Sequence, residues 1–391
     1  MATLISTRVL RRGLEIFAVL SVVVFGGLLF YGNNLDTFLS TMTSLKWGWV
    51  LVGIALASMD WFGGGIRLWI LTRHVHPTAS LKGSLLAGGL TAWASFLTPS
   101  QTGGGPMMIY TLKRYGTPIP EAMISSLMTF VATVVFFSIA GPFAIFMGAG
   151  RSLEQHGILG QTFTLYDLFR LSLGGFIGIG LVMLFFFVFP SVAKRLGRVL
   201  VAWFEAHGSG RMAQRIEDMR QGVDRSHDCM VAFFRGRGWL ALAAAVPASA
   251  LAHANKLLAG YVVLRMLDIH ANFIDVLLLQ TLITFLLYFA PTPGGSGLAE
   301  ILSVAVMSIY VPRELIPSYI LLWRLVLSYL TVGFGSMIFW RWLKVAEERK
   351  ETAALVSETS GPAPGKLSDG FDCTYGIRTP MASVAPREWR R

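Results

Sequence analysis

The chain has 391 residues, of which 54% are hydrophobic and only 14% charged, with a mean hydropathy of +0.59 and a formal net charge of +11. Several apolar runs approach the roughly 20 residues that a helix needs to cross a bilayer, so the composition indicates a polytopic membrane protein. The excess lysine and arginine lies in short segments between and after these runs, which is typical of cytoplasmic loops and argues against a nucleic-acid partner. Cys229 and Cys373 suggest no disulfide framework or metal cluster.

Nine apolar segments follow along the chain, at 14–31, 48–71, 83–97, 121–149, 168–190, 238–265, 273–290, 298–311 and 316–340. The first follows Arg8, Arg11 and Arg12 and lacks a small-residue cleavage site, so we interpret it as a retained helix rather than a signal peptide. The arginine-rich connection 191–237 is predicted to lie in the cytoplasm as amphipathic helices. We predict a single transmembrane domain over 1–345 and a disordered cytoplasmic tail over 346–391.

The stretch TPSQTGGGP at residues 98–106 interrupts the third apolar segment. If 83–97 crossed the membrane fully, Lys113, Arg114 and the basic connection 191–237 would all lie outside, against the positive-inside rule. A hairpin over 83–112 that enters and leaves on the cytoplasmic side removes the conflict and places both termini in the cytoplasm. Irregular backbone at membrane depth must be buried in protein or line a wet cavity. The stretch therefore predicts a re-entrant element beside a polar cavity.

A second stretch of the same kind, PTPGGSG, occupies residues 291–297, and its Thr292-Pro293 repeats the Thr98-Pro99 of the first stretch. The difference in residue number between these two dipeptides defines an offset. Subtracting this offset from 238–265 gives 44–71, and subtracting it from 316–340 gives 122–146, so two further apolar segments fall on apolar segments of the first half. We therefore predict an all-α inverted repeat of helix, broken re-entrant hairpin and helix, with about 6–8 spanning helices. Repeat one covers about 44–149 and repeat two about 238–340, with the site between them. The alternative is that proline and glycine mark ordinary turns.

The glycine-rich stretches are candidate ligand sites, because glycine lets backbone approach a ligand and leaves its amide free to bind it, and a helix start favours an anion such as phosphate. Pro106 is expected at the first position of such a helix. Arg324, among apolar residues, is a candidate for binding a lipid phosphate, and the alternative is an ion pair with a carboxylate such as Glu300. Glu300 itself could bind a proton or a cationic head group.

Other charged residues in apolar segments are secondary candidates. Asp60 and Arg67 are seven residues apart on one helix and are expected to neutralise each other, directly or through neighbours. His253, Asn255 and Lys256 could face the cavity or snorkel to the interface. Lys113 and Arg114 could attract anionic head groups or serve as ordinary anchors.

Motifs for catalysis are absent from the sequence: we find no HExxH, GxSxG or Walker motif and no closely spaced metal-binding aspartates. We therefore expect no enzymatic activity, no cofactor and no metal. Two alternatives remain open, a lipid head-group-modifying enzyme with Glu300, Asp60 and His253 as acid–base groups, and an accessory subunit of an envelope-lipid pathway.

These motifs resemble the flippase-like integral membrane family that includes the transmembrane region of lysylphosphatidylglycerol synthases. The resemblance covers about residues 10–345 and rests on Thr98-Pro99-Ser100, Gly103-Gly104, Ile109-Tyr110, the stretch 291–297 with Glu300, and Arg324. It implies transport of a phospholipid, or a related anionic or aminoacylated lipid, across the inner membrane, with a lipid-synthesis enzyme as a candidate partner. The substrate-binding residues it implies are Thr98, Pro99, Gly103, Gly104, Gly105, Tyr110, Thr292, Pro293, Gly294, Gly295, Gly297, Glu300 and Arg324.

Two departures from the family pattern limit what the resemblance implies. Gly105 stands where family members often have an acidic residue, so no acidic role transfers to it. The last helix is followed by about fifty residues, too few for the soluble aminoacyl-transferase domain of the larger synthases.

Overall fold

The computed structural model describes residues 7–31, 35–147, 165–188, 237–288 and 290–359, with isolated positions between 191 and 234. Over these ranges the chain is helical without strands, which confirms the predicted all-α fold. Most of the predicted basic linker 191–237 and the tail beyond residue 359 lie outside the described residues.

The helices of the first half are separated from those of the second by the basic connection. They are α1 (Thr7–Tyr31), α2 (Leu35–Thr43), α3 (Trp47–Ala57), α4 (Phe62–Val75), α5 (Leu81–Phe96), α6 (Gly104–Arg114), α7 (Ile119–Phe146) and α8 (Leu165–Val188). The second half contains α9 (Gly238–Ala252), α10 (Ala254–Met266), α11 (Phe273–Tyr288), α12 (Leu298–Met307), α13 (Ile316–Arg324) and α14 (Leu330–Thr359). Helix α14 therefore continues past the predicted domain boundary at residue 345.

Four helical stretches among the described residues are long and apolar enough to cross a membrane: Val9–Phe30, Trp47–Val75, Ile119–Ala144 and Arg313–Val345. Three shorter apolar helices accompany them, at Leu173–Val182, Phe273–Tyr288 and Pro293–Met307. The protein is thus a multi-pass membrane protein, and the predicted 6–8 spans are reached only when the shorter helices are added.

Helices α5 and α6 form a hairpin that returns to its starting end. Gly83 near the start of α5 lies against Tyr115 just after α6, because a Cβ atom on Gly83 would be 2.5 Å from the Tyr115 Cβ. The two helices have 16 and 11 residues, and a helix of 16 residues rises only about 24 Å, less than the roughly 30 Å hydrocarbon core. The second hairpin, α11 and α12, is closed in the same way by a hydrogen bond from the Tyr310 hydroxyl to the Asp275 carboxylate.

The tips of the two hairpins have the same backbone conformation. A 3₁₀ turn covers Pro99–Gln101 in the first tip and Pro293–Gly295 in the second, so the two turns are separated by the same offset as the two Thr-Pro dipeptides. The second and third residues of each turn have positive φ angles, 48° and 58° in the first tip and 60° and 65° in the second. The offset read from the sequence thus also relates the turns to each other.

The helix before each hairpin is broken near its middle, and the two broken helices lie side by side. The first breaks at the 3₁₀ turn Ser58–Asp60, between α3 and α4, and the second at His253, between α9 and α10. Helix α3 packs on α10 and α4 packs on α9, an arrangement that requires the broken helices to run antiparallel. Gly63 permits the close approach, since a Cβ atom there would lie 2.5 Å from the backbone of Leu251.

Candidate functional site

The tips of the two hairpins contact each other in the interior of the bundle. The Ser100 amide donates a hydrogen bond to the Ala290 carbonyl oxygen (3.2 Å). A Cβ atom on Gly294 would lie 3.1 Å from the Phe96 carbonyl oxygen. The two sequence stretches singled out by their prolines and glycines therefore meet in space.

Most groups of the first tip serve the tip's own structure. The buried Thr98 hydroxyl donates to the Ala94 carbonyl (2.9 Å) and accepts from the Gly103 amide (2.8 Å). A Cβ atom on Gly104 would overlap the Ser95 hydroxyl, whereas one on Gly105 would lie 3.6 Å from its nearest neighbour. Helix α6 begins at Gly104, so Pro106 is its third residue, not its first as predicted.

The expectation that the glycine amides are free to bind an anion is wrong at two positions. The Gly103 amide is bonded to Thr98, and the Gly297 amide donates to Glu300 Oε2 at 2.8 Å. The second bond is a helix cap, because Gly297 precedes α12 and Glu300 lies in its first turn.

Arg324 and Glu300 form a buried salt bridge, which is the alternative that the sequence left open for Arg324. Arg324 Nε lies 2.7 Å from Glu300 Oε1, and both side chains are at most 3% exposed. Arg324 Nη1 donates to the Gly294 carbonyl (2.9 Å), so the guanidinium also holds the second tip. Its Nη2 is buried without a partner among the described residues. A π-helical segment, Leu325–Tyr329, follows Arg324 directly.

Asp60 and Arg67 do not pair with each other, contrary to the simplest prediction from their spacing. Asp60 Oδ2 accepts from Asn255 Nδ2 (3.0 Å) and from the Thr331 hydroxyl (2.9 Å), and Oδ1 lies 3.6 Å from Lys256 Nζ. The carboxylate is therefore neutralised across the boundary between the halves. This partnership could not be found from helical spacing, because it joins residues from different halves of the chain.

A narrow cleft lies where the tips meet helices α10, α11 and α13, with an empty volume of about 500 Å³ including its open mouth. Its polar lining consists of Gln101, Lys256, Thr284, Tyr288 and Thr292, and its remaining lining is Phe96, Leu287, Ala290, Gly294, Gly295, Trp323 and Leu327. Lys256 is the charged residue among them. Of the predicted substrate-binding residues, Thr292, Gly294 and Gly295 line the cleft, and so does Lys256 of the secondary candidates.

Three of the buried polar groups without a partner among the described residues lie at or beside the second tip. The hydroxyls of Thr292 and Ser296 and Arg324 Nη2 are all buried without a hydrogen-bond partner in the described part of the chain. Buried polar groups normally have a protein or water partner, so these three can bind a ligand or water. The corresponding Thr98 of the first tip is satisfied, so the two tips differ in this respect.

Four predicted residues lie away from the cleft. Pro99 is exposed at the first tip. The Tyr110 ring lies near Trp342 of α14, with ring centroids 6.3 Å apart, and the Arg114 guanidinium lies over the Trp342 ring at 4.5 Å. Lys113 is half-buried in the last turn of α6. These contacts are typical of a membrane interface.

Lys256 is the residue that sequence reasoning weighed too lightly. The sequence allows it either to face the cavity or to snorkel, and the structure places it in the cleft with 16% of its side chain exposed. Its signal is a lysine in the middle of an apolar segment. Tyr288 and Trp323 carry no such signal, since aromatic residues are common in membrane helices, whereas Gln101 lies within the first tip stretch that the sequence singles out.

Residues 15–335, most of the chain, match the model of a protein family described as the lysylphosphatidylglycerol synthase TM region. No curated protein sequence matches the chain.

Proposed function

Because the chain belongs to the family of lysylphosphatidylglycerol synthase transmembrane regions, we propose that it is a lipid flippase that moves an anionic phospholipid or a related lipid across the inner membrane. The family links the protein to lipid modification or transport. The further step to transport rests on the cleft and on the two antiparallel broken helices, one of which supplies Lys256 to the cleft lining.

The observation that carries the proposal is the weak attachment of Lys256. Its ammonium lies 3.6 Å from Asp60, too far for a strong hydrogen bond, while Asp60 has two closer partners in Asn255 and Thr331. A lipid phosphate in the cleft can therefore bind Lys256 while Asp60 keeps its hydrogen bonds from Asn255 and Thr331. Charge-assisted hydrogen bonds of this kind are about twice as strong as neutral ones. The unpartnered Thr292 hydroxyl lines the same cleft.

In the proposed movement, the cleft between the two related halves opens alternately to each side of the membrane. The common offset, the matching tips and the antiparallel broken helices support an inverted repeat with re-entrant hairpins, in which the halves rock around a central site. The acyl chains stay in the bilayer while the phosphate passes through the cleft. With the basic connection 191–237 in the cytoplasm, both termini are cytoplasmic.

The test is translocation of fluorescent phosphatidylglycerol in proteoliposomes, measured by dithionite quenching of the outer leaflet. Lys256→Gln is expected to slow translocation about tenfold or more, because a hydrogen bond to a charged group contributes about 1.5–3 kcal/mol. Lys46→Gln is the matched control, since Lys46 is half-exposed and pairs with Asp268 at the surface. Wild-type transport by Lys256→Gln would contradict the proposed site.

The same proteoliposomes separate transport from chemistry. Mass spectrometry of the lipids after incubation should show head groups of unchanged mass. A modified head group would support the enzyme alternative, and loss of all activity without a partner protein would support an accessory role.

A further inference from the structure

Arg67 is a buried cation without an anion among the described residues. It is 8% exposed, and Nη1 donates to the hydroxyls of Thr133 (2.8 Å) and Ser249 (3.2 Å). Nε is buried without a partner, and no carboxylate in the described part of the chain lies within salt-bridge distance of the guanidinium. The edge that contains Nε is one that arginine uses to bind carboxylate or phosphate with two parallel hydrogen bonds.

The charge balance of the helical interior points to the same residue. Asp60 is neutralised by Lys256 and Glu300 by Arg324. Arg67 is the cation left over among these five groups, so one positive charge is uncompensated. An isolated charge in an apolar interior is costly, and such groups in membrane segments are associated with substrate pathways.

A chain of hydrogen bonds connects Arg67 to the cleft. The Tyr288 side chain lines the cleft, and its hydroxyl lies 2.8 Å from His253 Nε2. His253 Nδ1 donates to the Ser249 carbonyl oxygen (2.7 Å), and the Ser249 hydroxyl accepts from Arg67. His253 also sits at the break between α9 and α10. Arg67 is therefore linked to the cleft through Ser249, His253 and Tyr288, and the link runs through a discontinuity of the backbone.

We propose that Arg67 forms a second phosphate site, deeper in the bundle than Lys256, which receives the head group of the transported lipid when the Tyr288–His253 contact opens. This inference rests on the proposed function. The Thr133 and Ser249 hydroxyls hold Nη1 and leave the Nε edge to bind the phosphate.

Arg67 can be replaced without leaving the neighbouring Thr133 and Ser249 hydroxyls unbonded, so the site can be tested in a folded variant. Thr133 already donates to the Thr129 carbonyl (3.1 Å) and Ser249 to the Ala245 carbonyl (3.0 Å), so neither loses its donor partner when Arg67 is replaced. Arg67→Met removes the unpaired charge and keeps a flexible unbranched side chain in its place. The lipid-free variant should therefore have a Tm equal to or above that of the wild type, whereas loss of a structural arginine would lower it.

The experiment measures Tm, binding of fluorescent phosphatidylglycerol in nanodiscs and translocation in proteoliposomes. Arg67→Met is expected to bind the lipid within about twofold of wild type, because Lys256 remains, and to translocate it at least tenfold more slowly. Arg67→Lys should retain a measurable part of the transport. Arg265→Met is the matched control, since the Arg265 cation lies over Trp49, 5.5 Å from the ring centre, and it should transport normally.

Three outcomes would overturn the inference: normal transport by Arg67→Met, a clear fall in its Tm, or wild-type protein that is stabilised by inorganic phosphate but not by dihexanoyl phosphatidylglycerol. The first outcome together with slow transport by Lys256→Gln would refute the second site alone. Normal transport by both variants would refute the proposed function as well.

Discussion

Ser100 and Gly294 occupy the same place in the two hairpin tips, and both have a left-handed backbone with φ angles of 48° and 60°. Serine adopts this conformation at a cost of about 1–2 kcal/mol, which glycine avoids. The first tip therefore stores strain that the second does not. The turn geometry is common to both tips even though the residue at this position differs.

The two tips should respond oppositely to exchange of these residues. Gly294→Ser is expected to destabilise the protein by at least about 1–2 kcal/mol, because it adds left-handed strain and places a Cβ atom 2.7 Å from the Phe17 ring. Ser100→Gly should leave stability unchanged or raise it slightly. Thermal unfolding in detergent measures both, and equal destabilisation by the two changes would contradict the described turns.

Cysteine labelling tests the hairpins and the opposite orientation of the halves. With Cys229 and Cys373 replaced by serine, single cysteines at exposed Lys82 and Gly116 should react with an impermeant reagent from one side of the membrane. Exposed Asn272 and Arg313 flank the second hairpin and should both react from the other side. Labelling of Lys82 and Gly116 from opposite faces would show that α5 and α6 together cross the membrane.

The contact between the broken helices depends on Gly63. Gly63→Ala would place a Cβ atom 2.5 Å from the Leu251 backbone, and overpacking of this kind costs about 1–3 kcal/mol. Gly333→Ala is the control, because nothing lies within 4 Å of a Cβ atom there. Thermal unfolding should show a lower Tm for Gly63→Ala and no loss for the control, and an unchanged Tm for both would place the helices farther apart.

Substitutions of Glu300 and Arg324 should have non-additive effects on the free energy of unfolding, because the two side chains form a salt bridge. Glu300→Gln leaves a buried guanidinium without its counter-charge and is expected to cost about 3–5 kcal/mol. Adding Arg324→Met to this variant should recover much of the loss, because both charges are then removed. A double-mutant cycle by thermal unfolding measures the coupling, and additive effects would show that the groups do not interact.

The helical segments and the paired tips are predicted well from the sequence, because both depend on local signals. Long apolar runs specify membrane helices, and Pro293 with Gly294 specifies a turn wherever it occurs. The offset between the two tips is visible for the same reason. Helix α2 is not predicted, since Leu35–Thr43 is short and carries no long apolar run.

The partners of the charged residues could not be predicted in this way. Asp60 binds Asn255 and Lys256 because α3 packs on α10, and this contact exists only after the halves have assembled. The break at His253 is also invisible in the sequence, since no proline or glycine marks it. Candidate site residues whose contacts depend on long-range packing could therefore be identified only from the folded structure. Those in the tips could be identified from the sequence.

The salt bridge of Glu300 and Arg324 has no counterpart in the other half of the chain. The offset between the two tips relates these positions to Pro106 and Phe130, which carry no charge. In a transporter whose related halves exchange conformations, identical halves would interconvert between two states of equal free energy. A charged pair confined to one half removes this degeneracy, so the empty protein should rest preferentially open toward one leaflet.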